Sequence, residues 1–174
     1  MIFWKSFFQN SSINNNPDKH FKKLLLLDKT CDRIEFEDIY LSSNKNINLY
    51  ELEQLCDSVG WVKRPLKKVK IALKNSSIII SLIQKNDSIT RLVGFARATS
   101  DNGFNATIWD VVIHPDFQGL GLGKVVMHQL IKQLRQAEIS TITLFAEPDV
   151  ISFYRKLGFI KDPDGVKGMF WYPR

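Results

Sequence analysis

Ala106-Thr107-Ile108-Trp109-Asp110-Val111-Val112-Ile113, followed by His114-Pro115 and Gln118-Gly119-Leu120-Gly121-Leu122-Gly123, is the stretch that decides the fold. β-Branched and aromatic side chains dominate its first segment, which predicts a largely buried strand. Proline ends that strand because it cannot donate to a sheet ladder. Beyond the glycines, apolar residues recur at helical spacing, at Val125, Val126, Leu130, Ile131 and Leu134. The sequence therefore predicts a strand, a glycine turn and a helix.

The glycine turn has the features of a phosphate site. Glycines let the backbone approach a ligand, and the first amides of a helix have no intrahelical partner. Two common phosphate loops do not fit. A Walker loop needs Gly six residues before its Lys and Ser or Thr after it, but Gln118 and Val125 stand there. The dinucleotide fingerprint needs a third glycine where Lys124 stands.

The pattern that does fit is Gln/Arg-x-x-Gly-x-Gly/Ala, present as Gln118, Gly121 and Gly123. The turn thus resembles the acetyl-CoA loop of the GNAT superfamily of N-acetyltransferases. Thirty residues after Gly123, Phe153-Tyr154-Arg155-Lys156-Leu157-Gly158-Phe159 resembles the family's Phe-Tyr-x-x-x-Gly-Phe segment. Two signatures in this order make the resemblance specific, and an ordinary β-α unit with a glycine-rich turn is the alternative.

The other predicted elements follow the order that this resemblance implies. They are a strand at 34–41, a helix from Asn48 to Gly60, a helix beginning at Pro65, strands at 77–84, 90–98 and 106–113, the helix after Gly123, a strand at 141–146, a helix at 150–157 and a strand at 168–172. The implied fold class is α/β (α+β), a GNAT fold with a mixed central β-sheet flanked by helices. We expect the domain at residues 31–174, after a poorly ordered N-terminal arm at residues 1–30.

Composition limits the partners. Of 174 residues, 44% are hydrophobic and 24% charged, as in soluble globular proteins. Lys and Arg outnumber Asp and Glu by 24 to 18, which suits nucleic acid, an acidic surface or an anionic cofactor. No nucleic-acid motif accompanies this excess, and the first apolar segment is too short for a membrane span. We therefore expect neither nucleic acid nor membrane as a partner.

Cysteines and lysines are less informative. Cys31 and Cys56 lack metal-ligand spacing, so no metal is expected. A lysine run lies on one side of the second predicted helix, at Lys63, Lys67, Lys70 and Lys74. It is either a solvated face or a contact for an acidic partner.

The family resemblance implies acetyl-CoA as cosubstrate and assigns the residues that hold it. Backbone amides from Gly119 to Lys124 would bind the pyrophosphate. Strand-end backbone at Val112 and Ile113 would hold the pantetheine and the acetyl carbonyl, which a backbone amide also stabilises as an oxyanion. The full implied set is Val112, Ile113, Gln118, Gly119, Leu120, Gly121, Leu122, Gly123 and Lys124.

The chemistry of the family is attack of an uncharged amine on a thioester. Tyr154 matches the family tyrosine that donates its phenolic proton to the leaving sulfur. Asp110 is the one acid in the central strand, where a carboxylate needs a partner or a raised pKa. It either serves as base, directly or through water, or is a structural carboxylate bonded to a nearby loop. We interpret His114 as a capping or loop residue rather than a base.

The acceptor site is the least defined. Where many family members have an Asn that touches pantetheine, this chain has Glu147-Pro148-Asp149, and its two acids could attract a cationic amine. The connection between the first two helices, residues 58–64, usually walls the acceptor site in this fold. Its Trp61 either stacks on an aromatic amine or packs in the core.

The runs from Val59 to Arg64 and from Asp110 to Gly121 are similar to the cyanobacterial and plastid branch that includes plant serotonin N-acetyltransferases. This implies an organelle-encoded protein of the plastid (chloroplast) stroma, with the bacterial cytoplasm as the alternative. The expected reaction is acetyl transfer to a small-molecule amine, an arylalkylamine such as serotonin, by a monomer or homodimer. The alternatives are a protein lysine or N-terminal acetyltransferase and a non-catalytic acyl-CoA-binding module.

Overall fold

The computed structural model describes residues 21–26, 34–85 and 90–172, with side chains from residue 39 onward. The described strands are β1 Phe21–Leu26, β2 Ile34–Ser42, β3 Ile78–Lys85, β4 Thr90–Ser100, β5 Asn105–Ile113 and β6 Thr141–Leu144. The described α-helices are α1 Leu49–Ser58, α2 Leu66–Lys74, α3 Leu122–Gln136 and α4 Ile151–Lys156. Two compact units divide the chain, Met1–Thr143 and Leu144–Arg174.

One mixed sheet contains all six strands in the order β1-β2-β3-β4-β5-β6. Each neighbouring pair from β1 to β5 is antiparallel. At the start of β6, the Thr141 amide donates to the Phe104 carbonyl and the Thr143 hydroxyl donates to the Ala106 carbonyl. Both residue numbers rise together, so β6 runs parallel to β5. The mixed sheet flanked by helices that the sequence predicts is confirmed.

Helices cover both faces of the sheet. Ile79 and Ile80 are both buried although successive side chains of a strand point to opposite faces. Ile79 packs with Phe95 and with the inward residues of α1 and α2, among them Leu55 and Leu73. The long helix α3 packs on β3, β4 and β5. The central strands can therefore be apolar on both sides, which is why β3 and β4 read as continuous apolar runs.

Local signals define the ends of α1 as the sequence predicts. The Asn48 side chain accepts hydrogen bonds from the amides of Tyr50 and Glu51. At the other end, Gly60 has φ +77°, and the Trp61 amide donates to the Cys56 carbonyl. This is a Schellman ending, which needs a residue that tolerates positive φ.

Two expectations differ from the structure. The sequence predicts a poorly ordered arm at residues 1–30. Within it, Phe21–Leu26 is strand β1, because its backbone pairs with β2. The rest of that arm, and Cys31, lie outside the described residues. Residues 168–172 have strand composition but form no strand. A strand needs a neighbouring ladder, and in the described part of Leu144–Arg174 the last backbone hydrogen bond joins the Val166 amide to the Pro163 carbonyl.

Candidate active site

Two glycines with left-handed backbone shape the turn between β5 and α3. Gly119 has φ +77° and Gly121 has φ +80°, a region that glycine adopts without strain. A Cβ built on either glycine would meet no atom within 4 Å. The space beside this turn is therefore open to a ligand.

The same turn presents a run of unpaired amides. On one side, the Gln118 amide donates to the Pro115 carbonyl, and on the other the Lys124 amide donates to the Gly121 carbonyl. Between them, the N–H groups of residues 119–123 donate to no acceptor among the described residues. Free amides at a helix start attract anions, and the helix dipole adds to this. The run of free amides thus ends at Gly123, one residue earlier than the sequence indicates, because the Lys124 amide makes the first hydrogen bond of α3.

Side chains around the turn support its conformation. Gln118 donates from Nε2 to the Ile113 carbonyl at 3.0 Å, which ties the turn to the end of β5. The His114 ring accepts from the Asp116 amide through Nδ1, as expected of a capping residue. The Lys124 side chain is exposed in the first turn of α3, where no acid balances it. A bound phosphate would supply the missing negative charge.

The end of β5 keeps one edge unpaired within the first unit. The β6 contacts from Ser140 to Thr143 reach the start of β5, at Phe104 to Thr107. Val112, which pairs with Phe95 of β4, lies five residues beyond Thr107, the last of these contacts. This edge of the strand end is thus open to a ligand, and one acceptor near it, the Ile113 carbonyl, already binds the Gln118 side chain.

A bulge in β5 places Asp110 in an unusual conformation. Val112 pairs with Phe95 and Trp109 pairs with Arg97, so two β5 residues lie opposite Ala96. Asp110, one of the two, has φ +54°. Bulges of this kind redirect side chains and often lie next to functional sites.

Two arginines bind both oxygens of Asp110. Arg97 donates from Nε to Oδ2 at 2.6 Å, and Arg64 donates from Nη1 to Oδ1 at 2.9 Å. Arg64 also reaches the Cys56 sulfur through Nη2 at 3.7 Å, and burial raises the pKa of that thiol. One carboxylate therefore joins three parts of the fold, namely the bulge, strand β4 and the connection between α1 and α2. This geometry favours a structural role for Asp110 over a role as base.

Replacing Asp110 with Asn tests this arrangement, because Asn also tolerates positive φ and so only the charge is lost. We expect the free energy of unfolding in urea to fall by about 2 kcal/mol, since Arg97 is 12% exposed and loses its charged acceptor. Asp57→Asn is the matched control, because its pair with Lys63 is exposed and should change stability by less than about 0.5 kcal/mol. An unchanged stability with a lower kcat would contradict the structural role and support a base.

Tyr154 lies in the second unit, on α4. Its ring meets Phe153 at 5.1 Å and Phe159 at 6.0 Å, both edge to face. Burial raises the pKa of its phenol above the ordinary value of 10.0. The hydroxyl therefore stays protonated at neutral and mildly alkaline pH, as a proton donor must.

The residues predicted for the acceptor are all open to solvent. Glu147 and Asp149 are exposed at the start of the second unit and have no ion-pair partner among the described residues. Trp61 is 37% exposed in the first unit and its neighbour Val62 is 87% exposed. Trp61 is thus not a core residue.

Sequence reasoning missed Arg64 and Arg97. For Arg97 a usable signal was present, because an arginine in one apolar strand and an acid in the next strand of a hairpin are expected to pair. No cluster of potential metal ligands occurs among the described residues. In the same part of the chain, every helix is too short or too polar to cross a membrane.

Comparison with known proteins identifies the family to which the chain is similar. Residues 31–159 match the model of the acetyltransferase (GNAT) family. The chain is 88% identical to N-acetyltransferase ycf52 of Pyropia yezoensis over the whole of both chains. It is 48% identical to histone acetyltransferase TAP1 of Glycine max, covering 94% of this chain and 74% of that one. It is 42% identical to the chloroplastic GCN5-related N-acetyltransferase 2 of Arabidopsis thaliana, covering 94% and 71%.

Solved structures share the fold. A probable acetyltransferase from Staphylococcus aureus, SA2161, superposes with a TM-score of 0.67 at 20% identity, covering 78% of this chain and 99% of that one. At this identity the likeness extends to the fold alone.

Proposed function

The chain belongs to the acetyltransferase (GNAT) family of N-acetyltransferases, and from this premise we propose that it transfers acetyl from acetyl-CoA to a primary amine through the turn between β5 and α3. The observation that carries the proposal is the run of free amides at residues 119–123, next to the unpaired edge of β5. Acetyl-CoA, when bound, supplies the thioester that the amine attacks. The chain's own residues bind, orient and move protons.

In this proposal, the free amides and the Lys124 ammonium hold the pyrophosphate, and the backbone of Val112 and Ile113 holds the pantetheine and the acetyl carbonyl. An amide on that carbonyl also stabilises the oxyanion that forms during attack. Tyr154 donates its phenolic proton to the departing sulfur, and water accepts the proton that the amine loses. Asp110 holds the bulge rather than taking that proton, since both its oxygens already accept from arginine.

A panel of amines with acetyl-CoA tests the activity, with release of free thiol as the readout. Turnover of at least one amine supports an enzyme. Tight acetyl-CoA binding without thiol release from any small or peptide amine would support the alternative of a non-catalytic acyl-CoA-binding module.

We propose an arylalkylamine such as serotonin as the acceptor. Its ammonium group would be attracted by Glu147 and Asp149, and its ring could stack on the exposed face of Trp61. A protein lysine or N-terminal amine is the second candidate. The name of the soybean relative, a histone acetyltransferase, and the exposure of Val62 beside Trp61 favour it.

Replacing Trp61 with Ala tests which of the two classes of acceptor amine the enzyme uses. If Trp61 stacks on the substrate, the Michaelis constant for serotonin or tryptamine should rise about tenfold, while that for a short aliphatic amine stays within about twofold. Because Trp61 is 37% exposed, most of its surface is covered, so the melting temperature of the variant is measured alongside its kinetics. The constants for acetyl-CoA should not change. Turnover of peptides, with none of serotonin or tryptamine, would replace the arylalkylamine with a protein amine.

We also propose the plastid stroma as the compartment of this protein, with the gene carried by the organelle. The ycf52 relative and the chloroplastic Arabidopsis relative support this over a bacterial cytoplasm.

A further inference from the structure

Positive charge is concentrated in and before α2. Residues 61–75 contain six basic residues and no acid, which matches the net charge of +6 of the whole chain. Lys63 and Arg64 pair with Asp57 and Asp110. The other four basic residues have no ion-pair partner among the described residues, namely Lys67, Lys68, Lys70 and Lys74.

These charges conflict with the helix that carries them. Lys67 and Lys68 lie in the first turn of α2, where the helix dipole favours acids, and no side chain caps this end. Lys70 and Lys74 are four residues apart, a spacing at which like charges repel. Lys74 itself lies in the last turn, where the dipole favours a cation, so the conflict is confined to the first turn and to the repulsion between neighbouring lysines. Such a local conflict is expected where a surface serves binding rather than stability.

An exposed isoleucine lies at the centre of the same surface. Leu73 is buried and Val69 packs on the core, so the opposite side of α2 faces solvent. On that side Ile71 is 52% exposed, with Lys67 and Lys68 one turn before it and Lys74 one turn after. We name this surface the α2 lysine face; it consists of Lys67, Lys68, Lys70, Ile71 and Lys74.

The combination of lysines with an exposed apolar side chain favours one class of anionic partner over the others. A duplex nucleic acid would gain from the lysines but offers phosphates, not an apolar group, to Ile71. A lipid surface needs a broad apolar helix face, and the apolar side of α2 is already packed on the core through Val69 and Leu73. A protein segment with an apolar residue between acids complements both features.

We propose that the α2 lysine face docks an acidic protein segment in which an apolar side chain lies between carboxylates. The apolar side chain contacts Ile71, and the carboxylates pair with the surrounding lysines. This docking is independent of which amine the enzyme acetylates.

Fluorescence anisotropy with a labelled peptide of alternating Glu and Leu, added to the full chain at low salt, measures this docking. The double variant Lys67→Glu/Lys74→Glu should weaken binding by at least about tenfold, because close charge pairs are reversed. Lys156→Glu/Lys161→Glu makes the same change of charge on exposed lysines of the second unit and should weaken it by less than about twofold. Equal weakening by the two double variants would overturn the proposal.

Ile71→Ser tests the apolar centre without changing charge, and should weaken binding of the Glu-Leu peptide several-fold. A second peptide, with Glu alternating with Ser, should bind more weakly to the unaltered protein by a similar factor. Equal binding of the two peptides would overturn the proposal. So would displacement of the Glu-Leu peptide by duplex RNA or phosphatidylglycerol vesicles at a lower concentration than unlabelled peptide requires. Thiol release with any amine of the panel that the enzyme turns over should stay unchanged in all these variants. Failure of docking is therefore distinguishable from failure of catalysis.

Discussion

Replacing Gly121 with Val is expected to abolish measurable acetyl-CoA binding, with a loss of at least about a hundredfold in affinity, or about 2.7 kcal/mol. Gly121 has φ +80°, which a β-branched residue does not adopt without strain. A Cβ there meets no protein atom within 4 Å, so the added side chain would occupy the open space beside the free amides. Calorimetric titration with acetyl-CoA measures the loss.

Gly60→Val is the matched control for this experiment. Gly60 has φ +77°, and a Cβ built on it also meets nothing within 4 Å, but it ends α1 and has no part in the turn. Both variants should lose stability through backbone strain of about 1 to 3 kcal/mol. Acetyl-CoA binding should be lost in the Gly121 variant alone. A folded Gly121→Val protein with unchanged affinity would remove the turn as the cosubstrate site.

Replacing Tyr154 with Phe should slow the chemical step by roughly ten- to ten-thousandfold, the scale of a lost proton donor. The ring contacts with Phe153 and Phe159 need no hydroxyl, so packing and acetyl-CoA affinity should persist. Tyr172→Phe removes a phenol from the same unit at a position 76% exposed, and should leave turnover unchanged. Pre-steady-state kinetics isolates the chemical step.

The pH profile adds a second readout for Tyr154. Burial raises the pKa of its phenol above 10.0, so the group remains protonated below that pH. The variant should therefore lose rate by the same factor from pH 7 to 9, without a shifted midpoint. Wild-type turnover under chemistry-limited conditions would show that another group, or water, protonates the sulfur.

The predictable parts of the fold are those with local signals. Asn48 and Gly60 define α1 through a cap and a positive φ, and both can be recognised in a few residues of sequence. The turn from Gln118 to Gly123 is local in the same sense, since its glycines and the helix start determine which amides are free. The unpredicted parts depend on distant strands. β1 exists because β2 lies beside it, and residues 168–172 form no strand where no ladder reaches them.

The amino-acid sequence by itself determined the order of elements from β2 to α4, the glycine turn and the family, because each rests on residues near one another in the chain. The tertiary structure alone shows which groups bind Asp110. Its two partners, Arg64 and Arg97, are 46 and 13 residues away, and the bulge that turns its side chain towards them arises from the pairing of β4 with β5. A carboxylate in an apolar strand is ambiguous in sequence, because its chemistry depends on which groups reach its oxygens, and the folded chain brings two guanidinium groups there.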